Sequence, residues 1–471
     1  MLGFSNQTIA DLLYWVTRKR WLIAAFAISL FLFYIPSPVS LSPEAHRTLI
    51  IVVIVLILII GEVIPLPAVA ILILILEVVL GIDTPNGVAK SFMSDAVFFI
   101  MGSLMMAVAI VSQGLDKRLA LGIIKLTGNK TWRIVFGFVA ISAILSSFIG
   151  EHTVAAMMLP VALTLIQNTR DDQKTIDRLS SILLFSIAYG CAMGSIGTPS
   201  GGGRNVIMIG YISEFGLGNI SYLNWIKYAY PMLLLEIPIA VALLWMTFKP
   251  DQRILDSAVR KLKVKVTKTG AITSNQIMAI GIFVLVFLGW VFLSPYLGLG
   301  IVALIGVFLY LSFGLIEWQD INRNTNWGVI LLFGSAISLG IQMKETGAAE
   351  WVATQSINGM SILINDLGFM QWFISVFLTG ILTNFLSNAA TVAVLGPVVL
   401  DMGGNPIILG ISTSIASSFA YLTIVASPTC MIIHSSGLVK SSDYLKAGWK
   451  LFVISIFLLF LISNFYWPFL S

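Results

Sequence analysis

The chain is a succession of apolar runs separated by short polar interruptions, and the runs carry no polar stripe at helical spacing. Leu49–Ile60 and Ala68–Leu76 are apolar all round, whereas a helix packed between a core and water keeps one polar face. Such runs are surrounded by lipid or by other buried helices. Their lengths predict membrane helices near 21–38, 48–63, 65–81, 93–113, 230–247, 276–293, 298–317, 327–343 and 448–468. Four further segments, 133–169, 179–212, 369–402 and 406–438, are too long for one span or are broken by Pro and Gly. Broken backbone at membrane depth survives only where protein or a water-filled cavity satisfies it. The pattern predicts an all-α polytopic membrane protein with about 11 transmembrane helices plus two re-entrant hairpins.

Composition agrees: 58% of the residues are hydrophobic and 10% are charged, against about 25% charged in an ordinary soluble domain. Cys191 and Cys430 both fall inside apolar segments, which gives no disulfide framework and no zinc site. The net charge of +5 carries less information than its placement. Basic residues gather at Arg18-Lys19-Arg20, from Lys117 to Arg133, from Arg170 to Arg178, from Lys249 to Lys268 and from Lys440 to Lys450. All of these fall on one side if the amino terminus is cytoplasmic and segments 133–169 and 369–402 enter and leave on the same face. The positive-inside rule then places the chain in the cell inner (plasma) membrane, amino terminus cytoplasmic and carboxyl terminus external. Its partner is the lipid bilayer, and nucleic acid is not expected. The first apolar run follows the basic triplet without a small-residue cleavage site and reads as a retained helix.

The hairpins rest on an internal repeat. Ser147-Phe-Ile-Gly-Glu-His-Thr-Val-Ala-Ala-Met-Met-Leu-Pro-Val-Ala-Leu163 aligns without gaps, at an offset of 237, with Asn384-Phe-Leu-Ser-Asn-Ala-Ala-Thr-Val-Ala-Val-Leu-Gly-Pro-Val-Val-Leu400. Phe148/Phe385, Ala156/Ala393, Pro160/Pro397, Val161/Val398 and Leu163/Leu400 are identical. Upstream, Gly102-Ser103 matches Gly334-Ser335. Downstream, Ser186-Ile-Ala-Tyr189 leading to Gly201-Gly-Gly-Arg-Asn205 matches Ser418-Phe-Ala-Tyr421 leading to Ala426-Ser-Pro-Thr-Cys430. The chain divides into N-terminal helices (1–64), a first repeat (65–247, hairpin near 133–169), a cytoplasmic basic linker (248–271) and a second repeat (272–471, hairpin near 369–402). Parity of crossings makes the two hairpins open from opposite faces, an inverted repeat.

A hairpin tip starts a new half-helix, whose free N–H groups attract carboxylate oxygens, while nearby carbonyls can hold a cation. The tips and crossovers therefore supply the candidate anion site. Glu151 and Arg204 are ionisable groups at membrane depth, where an unpaired charge costs about 2.5–3.5 kcal/mol on insertion scales, so they are expected to pair. His152 is a candidate for contacting substrate or accepting a proton. Glu77 and Glu236 are also intramembrane carboxylates and are read as structural hydrogen-bonding groups outside the site.

These residues resemble the divalent-anion:sodium symporter family, which includes the dicarboxylate carriers nicknamed INDY. The resemblance spans nearly the whole chain: Phe98-Phe-Ile-Met-Gly-Ser-Leu-Met-Met-Ala-Val-Ala109, Asn326-Trp-Gly-Val-Ile-Leu-Leu-Phe-Gly-Ser335, and both hairpins. Ser387-Asn388 fits the first two positions of the family's Ser-Asn-Thr signature, with Ala389 in place of Thr. The family implies a homodimer in which a hairpin-bearing transport domain moves against a scaffold like an elevator, carrying dicarboxylate anions. Carried onto this sequence, the substrate site is Gly150, Glu151, His152, Thr153, Arg204, Asn205, Ser387, Asn388, Ala389, Pro428 and Thr429. The first tip has Gly150-Glu151-His152 at the signature positions, and Gly201-Gly202-Gly203-Arg204-Asn205 stands where the family has Gly-Thr-Pro-Pro-Asn. The loss of sodium-binding oxygens there, with a guanidinium in their place, implies sodium-independent exchange. A residual sodium site is left near Ser387, Asn388 and Ala426. No other cofactor is expected.

The alternatives are a sodium- or proton-coupled symporter of di- or tricarboxylates or sulfate, and an anion channel, since re-entrant hairpins also build selectivity filters. An enzyme is not expected: Glu151-His152 lacks the second histidine of HExxH, and neither Gly-x-Ser-x-Gly nor a P-loop occurs.

Overall fold

The computed structural model describes residues 20–470 apart from 39, 62–63, 116–117, 119–126, 170, 268–270, 363, 365 and 425. Of the basic loop residues, Arg18, Lys19, Lys117, Lys125, Arg170 and Lys268 lie outside the described residues, as does the start of the 1–64 segment. Among the described residues every regular element is a helix. Nine helices among the described residues are long and apolar enough to cross a membrane.

The amino-terminal part holds α1 (Arg20–Tyr34), α2 (Pro43–Gly61), α3 (Leu66–Val79), the short α4 (Pro85–Phe92) and α5 (Asp95–Ser112). Segment 133–169 is two helices, α6 (Thr131–Ile149) and α7 (Glu151–Gln167), meeting at Gly150. Segment 179–212 is likewise split, into α8 (Gln173–Gly194) and α9 (Gly203–Glu214), followed by the long α10 (Tyr222–Phe248). The basic linker is partly helical. Ala258 and Val259 of α11 (Asp256–Thr267) are buried, as is Leu255 just before it, and the helix packs on α7.

Next come α12 (Ser274–Phe292), α13 (Ser294–Ser312), α14 (Trp318–Asn324), α15 (Trp327–Glu345) and α16 (Ala348–Met360). The second hairpin is α17 (Leu367–Leu382) and α18 (Asn388–Leu400). The second crossover is α19 (Pro406–Ala416) and the short α20 (Pro428–His434), and α21 (Ser441–Leu461) follows.

Helices of the two halves pack across each other: α5 runs along α13, and α15 runs along α3. Small residues allow the close approach, since a Cβ at Gly102 would stand 2.6 Å from that of Ala303. α13 is kinked at Gly298 (φ 79°), a conformation suited to glycine. The amides freed beyond the kink, those of Leu299 and Gly300, donate to the Asp95 carboxylate at 3.0 Å each. A start of α5 is thereby tied to the body of α13, and the wall of the central cavity is set.

Candidate functional site

The two tips and the first crossover meet at one place. Gly150 has φ 83° and ψ 145°, outside the range of residues with a Cβ, and it lets the chain reverse directly from α6 into α7. The second tip reverses differently. Ser387 is extended (φ −64°, ψ 150°), and its hydroxyl accepts from the amide of Ala390, capping α18. No side chain caps α7 at Gly150 or α9 at Gly202. Two helix N-termini thus end here with backbone N–H groups free of side-chain partners.

Glu151, in the first turn of α7, and Arg204, in the first turn of α9, are both buried and form an ion pair, Nη1 to Oε1 3.8 Å. Ser195 bridges them: its hydroxyl lies 3.2 Å from Glu151 Oε2 and receives a hydrogen bond from Arg204 Nη2. A guanidinium at a helix N-terminus faces the positive end of the dipole, so Glu151 and Ser195 are what hold it there. Asn388 of the second tip closes the cluster, its Nδ2 donating to Glu151 Oε1 at 3.3 Å and its Oδ1 accepting from the Thr383 hydroxyl at 3.0 Å.

These groups border a cavity of about 190 Å³, small beside the ~300–1,000 Å³ of drug-sized sites. Gly150, Glu151, His152, Arg204, Ser387, Asn388, Ala389 and Pro428 line it, so eight of the eleven residues singled out in the sequence are brought together. The other three stand behind the wall. Asn205 holds the crossover by donating to the Ser195 and Thr198 carbonyls at 2.8 Å each and accepting from Ser414 at 3.0 Å. Thr429 is buried against the Ser427 hydroxyl at 2.6 Å. Thr153 sits half-buried on α7, and Ala426 is buried outside the lining.

The opposite wall comes from α5 (Phe99, Ile100, Ser103, Leu104) and α15 (Val329, Leu332, Phe333). Phe333 presses on the crossover so closely that a Cβ at Gly203 would lie 2.1 Å from its ring. Sequence reasoning missed Phe333 and Ser195. Phe333 lies within the Asn326–Ser335 stretch already singled out, whereas nothing in the spacing around Ser195 marks it as the bridge. Glu77 and Glu236 lie away from the cavity. Each accepts one serine hydroxyl, from Ser338 at 2.7 Å and from Ser455 at 2.5 Å, and keeps its other oxygen buried without a partner among the described residues.

A helical membrane fold with two broken hairpins closing on a polar-lipped cavity fits a protein that passes a polar solute across the bilayer, a carrier or a channel. The chain belongs to the family described as the sodium:sulfate symporter transmembrane region, whose model matches residues 17–471. It is 28% identical over 432 residues to the sodium-dependent high-affinity dicarboxylate transporter 3 of Caenorhabditis elegans, covering 79% of this chain and 74% of that protein. To the sodium-dependent dicarboxylate transporter SdcS of Staphylococcus aureus (strain USA300) it is 26% identical over 417 residues, 82% of this chain and 79% of the other. The YdaH transporter of Alcanivorax borkumensis has a similar fold, with a TM-score of 0.55 at 11% identity over 81% of this chain and 87% of that one. The chain is therefore a multi-pass membrane transporter and not an enzyme.

Proposed function

We propose that this protein exchanges small dicarboxylates, of the C4-dicarboxylate or 2-oxoglutarate class, across the membrane without sodium. The observation that carries the reading is the convergence of two uncapped helix N-termini and the Glu151–Arg204 pair on one small cavity. The uncapped N-termini of α7 and α9 each present partial positive charge, about half an elementary charge per helix, and free amides for carboxylate oxygens. Arg204 adds a planar donor suited to a carboxylate. The dicarboxylate class comes from the relatives, which carry that substrate in their names.

In this reading 65–247 and 272–471 are inverted repeats, and the hairpins with their crossovers move as an elevator against α5 and α15. The protein works as a homodimer in the inner membrane with its amino terminus cytoplasmic. The position of the cavity between the tips and α5 and α15 supports such a division. The placement of basic residues supports a cytoplasmic linker and amino terminus. The test is uptake into proteoliposomes preloaded with a panel of dianions, with and without a sodium gradient. Exchange that depends on internal dicarboxylate and ignores sodium supports the reading.

Sodium-coupled symport is the second reading, favoured by the sodium dependence in the names of both relatives. Its cation would sit at the second tip, near Ser387, Asn388 and Ala426, where the family's signature is kept at two of three positions.

A further inference from the structure

A second cavity, of about 340 Å³, lies at the other end of the long helices, on the face that carries the basic linker. It is formed by the first turns of α8 and α21, the last turn of α10 and the loop before α21. Five cations gather around it: Arg178, Lys249, Lys440, Lys446 and Lys450. The carboxylates beside them are Asp177, Asp251 and Asp443, which leaves two positive charges in excess. Arg178 is paired with Asp251 at 2.7 Å and Lys440 with Asp177 at 3.8 Å. Lys450 donates to Thr247 at 2.9 Å. Lys249 and Lys446 make no ion pair with the described residues; Lys446 rests its ammonium 5.8 Å from the centre of the Phe248 ring.

The backbone also singles out this spot. Lys249 has φ 43°, the one non-glycine residue of positive φ among the described residues, and it ends α10 with its side chain exposed at the cavity. Such a conformation is costly for a side-chain-bearing residue and gathers at functional positions. Beside the cavity-lining residues, Met246 near the end of α10 and Leu445, Trp449, Val453 and Phe457, spaced by four along α21, are exposed. An indole such as that of Trp449 suits the boundary between acyl chains and headgroups.

We propose that this cavity is a binding site for an anionic phospholipid, its phosphate held by Lys249 and Lys446 and its acyl chains lying along Met246, Leu445, Trp449 and Val453. Two unpaired ammonium groups meet a phosphodiester, and the apolar strip below them continues the ligand as no free anion would. Basic pockets at this depth between membrane helices hold such headgroups in general. Neither lysine belongs to the dianion site, so the assignment stands whether or not the exchange reading does.

The experiment is native mass spectrometry of the full chain in detergent, titrated with phosphatidylglycerol, phosphatidylcholine or inorganic phosphate. Wild type retains phosphatidylglycerol in preference to phosphatidylcholine. The double variant Lys249→Gln/Lys446→Gln lowers phosphatidylglycerol affinity about tenfold or more, while Lys261→Gln, on the same face outside the cavity, leaves it unchanged. Both lysines are exposed, so the variants should fold, and Lys446→Arg on its own retains binding. Equal retention of the two lipids, or wild-type affinity in the double variant, overturns the proposal. Displacement of the lipid by millimolar-range inorganic phosphate makes the cavity a free-anion site and overturns it equally.

Discussion

Asn388 Nδ2 lies 3.3 Å from Glu151 Oε1, and the two residues stand 237 positions apart, the same offset that aligns the two hairpins. Tyr189 and Tyr421, matched in the downstream stretches, also touch, with ring centroids 5.2 Å apart. Repeat-equivalent residues that contact each other lie at the axis relating their halves. These contacts support the proposed inverted repeat and make the tips mutually dependent, since a change at one removes a partner from the other.

Asn388→Ala deletes the one amide kept at a signature tip and frees Glu151 Oε1 of its cross-tip donor. A hydrogen bond to a charged group contributes about 1.5–3 kcal/mol. Dicarboxylate affinity, measured by calorimetry on the purified protein, is expected to fall roughly tenfold or more. Unchanged affinity in a folded variant would remove the second tip from the site.

Arg204 and Glu151 should behave as a unit. Arg204→Gln leaves a buried carboxylate without its cation, a loss that costs about 3–5 kcal/mol where a buried pair is broken. Transport by this variant is expected to be nearly abolished. Adding Glu151→Gln leaves no unpaired charge and is expected to recover part of the folded yield and of the substrate-induced thermal shift. Strict additivity across the cycle would mean that the 3.8 Å contact carries no coupling.

The tips should also differ in their tolerance of alanine. Gly150 at φ 83° and ψ 145° occupies a region that is open essentially only to glycine, so Gly150→Ala is expected to cost about 1–3 kcal/mol. Ser387→Ala loses a helix cap at about 1 kcal/mol. Thermal unfolding in detergent ranks the two. A Gly150→Ala midpoint at or above that of Ser387→Ala would show that the first tip relaxes to another reversal.

Much of this architecture is legible in the amino-acid sequence. Period-free apolar runs located the helices, and the gapless match of Ser147–Leu163 with Asn384–Leu400 located both tips, because the polar cluster in an otherwise apolar run marks the break itself. Three features were not legible. Ser195 joins Glu151 to Arg204 through a crossover whose path depends on how Gly201 to Gly203 fold back on α6, and serine in a run of small residues looks like packing. Asn205, carried into the site by resemblance, turns inward to tie Ser195, Thr198 and Ser414 together. Sequence position placed it one residue from Arg204, yet on a helix that is enough to turn a side chain from the cavity to the core. The helical part of the basic linker was hidden for another reason: its lysines outweigh the few apolar residues that dock it on α7.

The energy source is the remaining prediction. A sodium symporter needs a site whose occupancy by sodium favours the loaded carrier. If the resemblance holds at the first tip, the place of the family's sodium-binding oxygens is taken by the Arg204 guanidinium, in the first turn of α9. Repulsion between two cations about 4 Å apart amounts to ~4 kcal/mol at an effective dielectric near 20, which weakens sodium binding by roughly three orders of magnitude if nothing compensates. Glu151 compensates Arg204 itself: with the two paired and bridged by Ser195, the local charge is near zero, and no carboxylate is left over to attract sodium. The fixed cation then supplies what a mobile one supplies elsewhere. On the exchange reading an empty carrier keeps uncapped helix N-termini and one unpartnered guanidinium nitrogen, Arg204 Nε, and crosses poorly, whereas a dianion satisfies both. On the proposed reading that asymmetry makes exchange obligatory. Dicarboxylate uptake into liposomes with an inward sodium gradient and no internal substrate is therefore expected to stay at background and to rise when internal dicarboxylate is supplied, equally in sodium and in choline. Robust accumulation into empty liposomes that disappears when choline replaces sodium would refute exchange and make the protein a symporter.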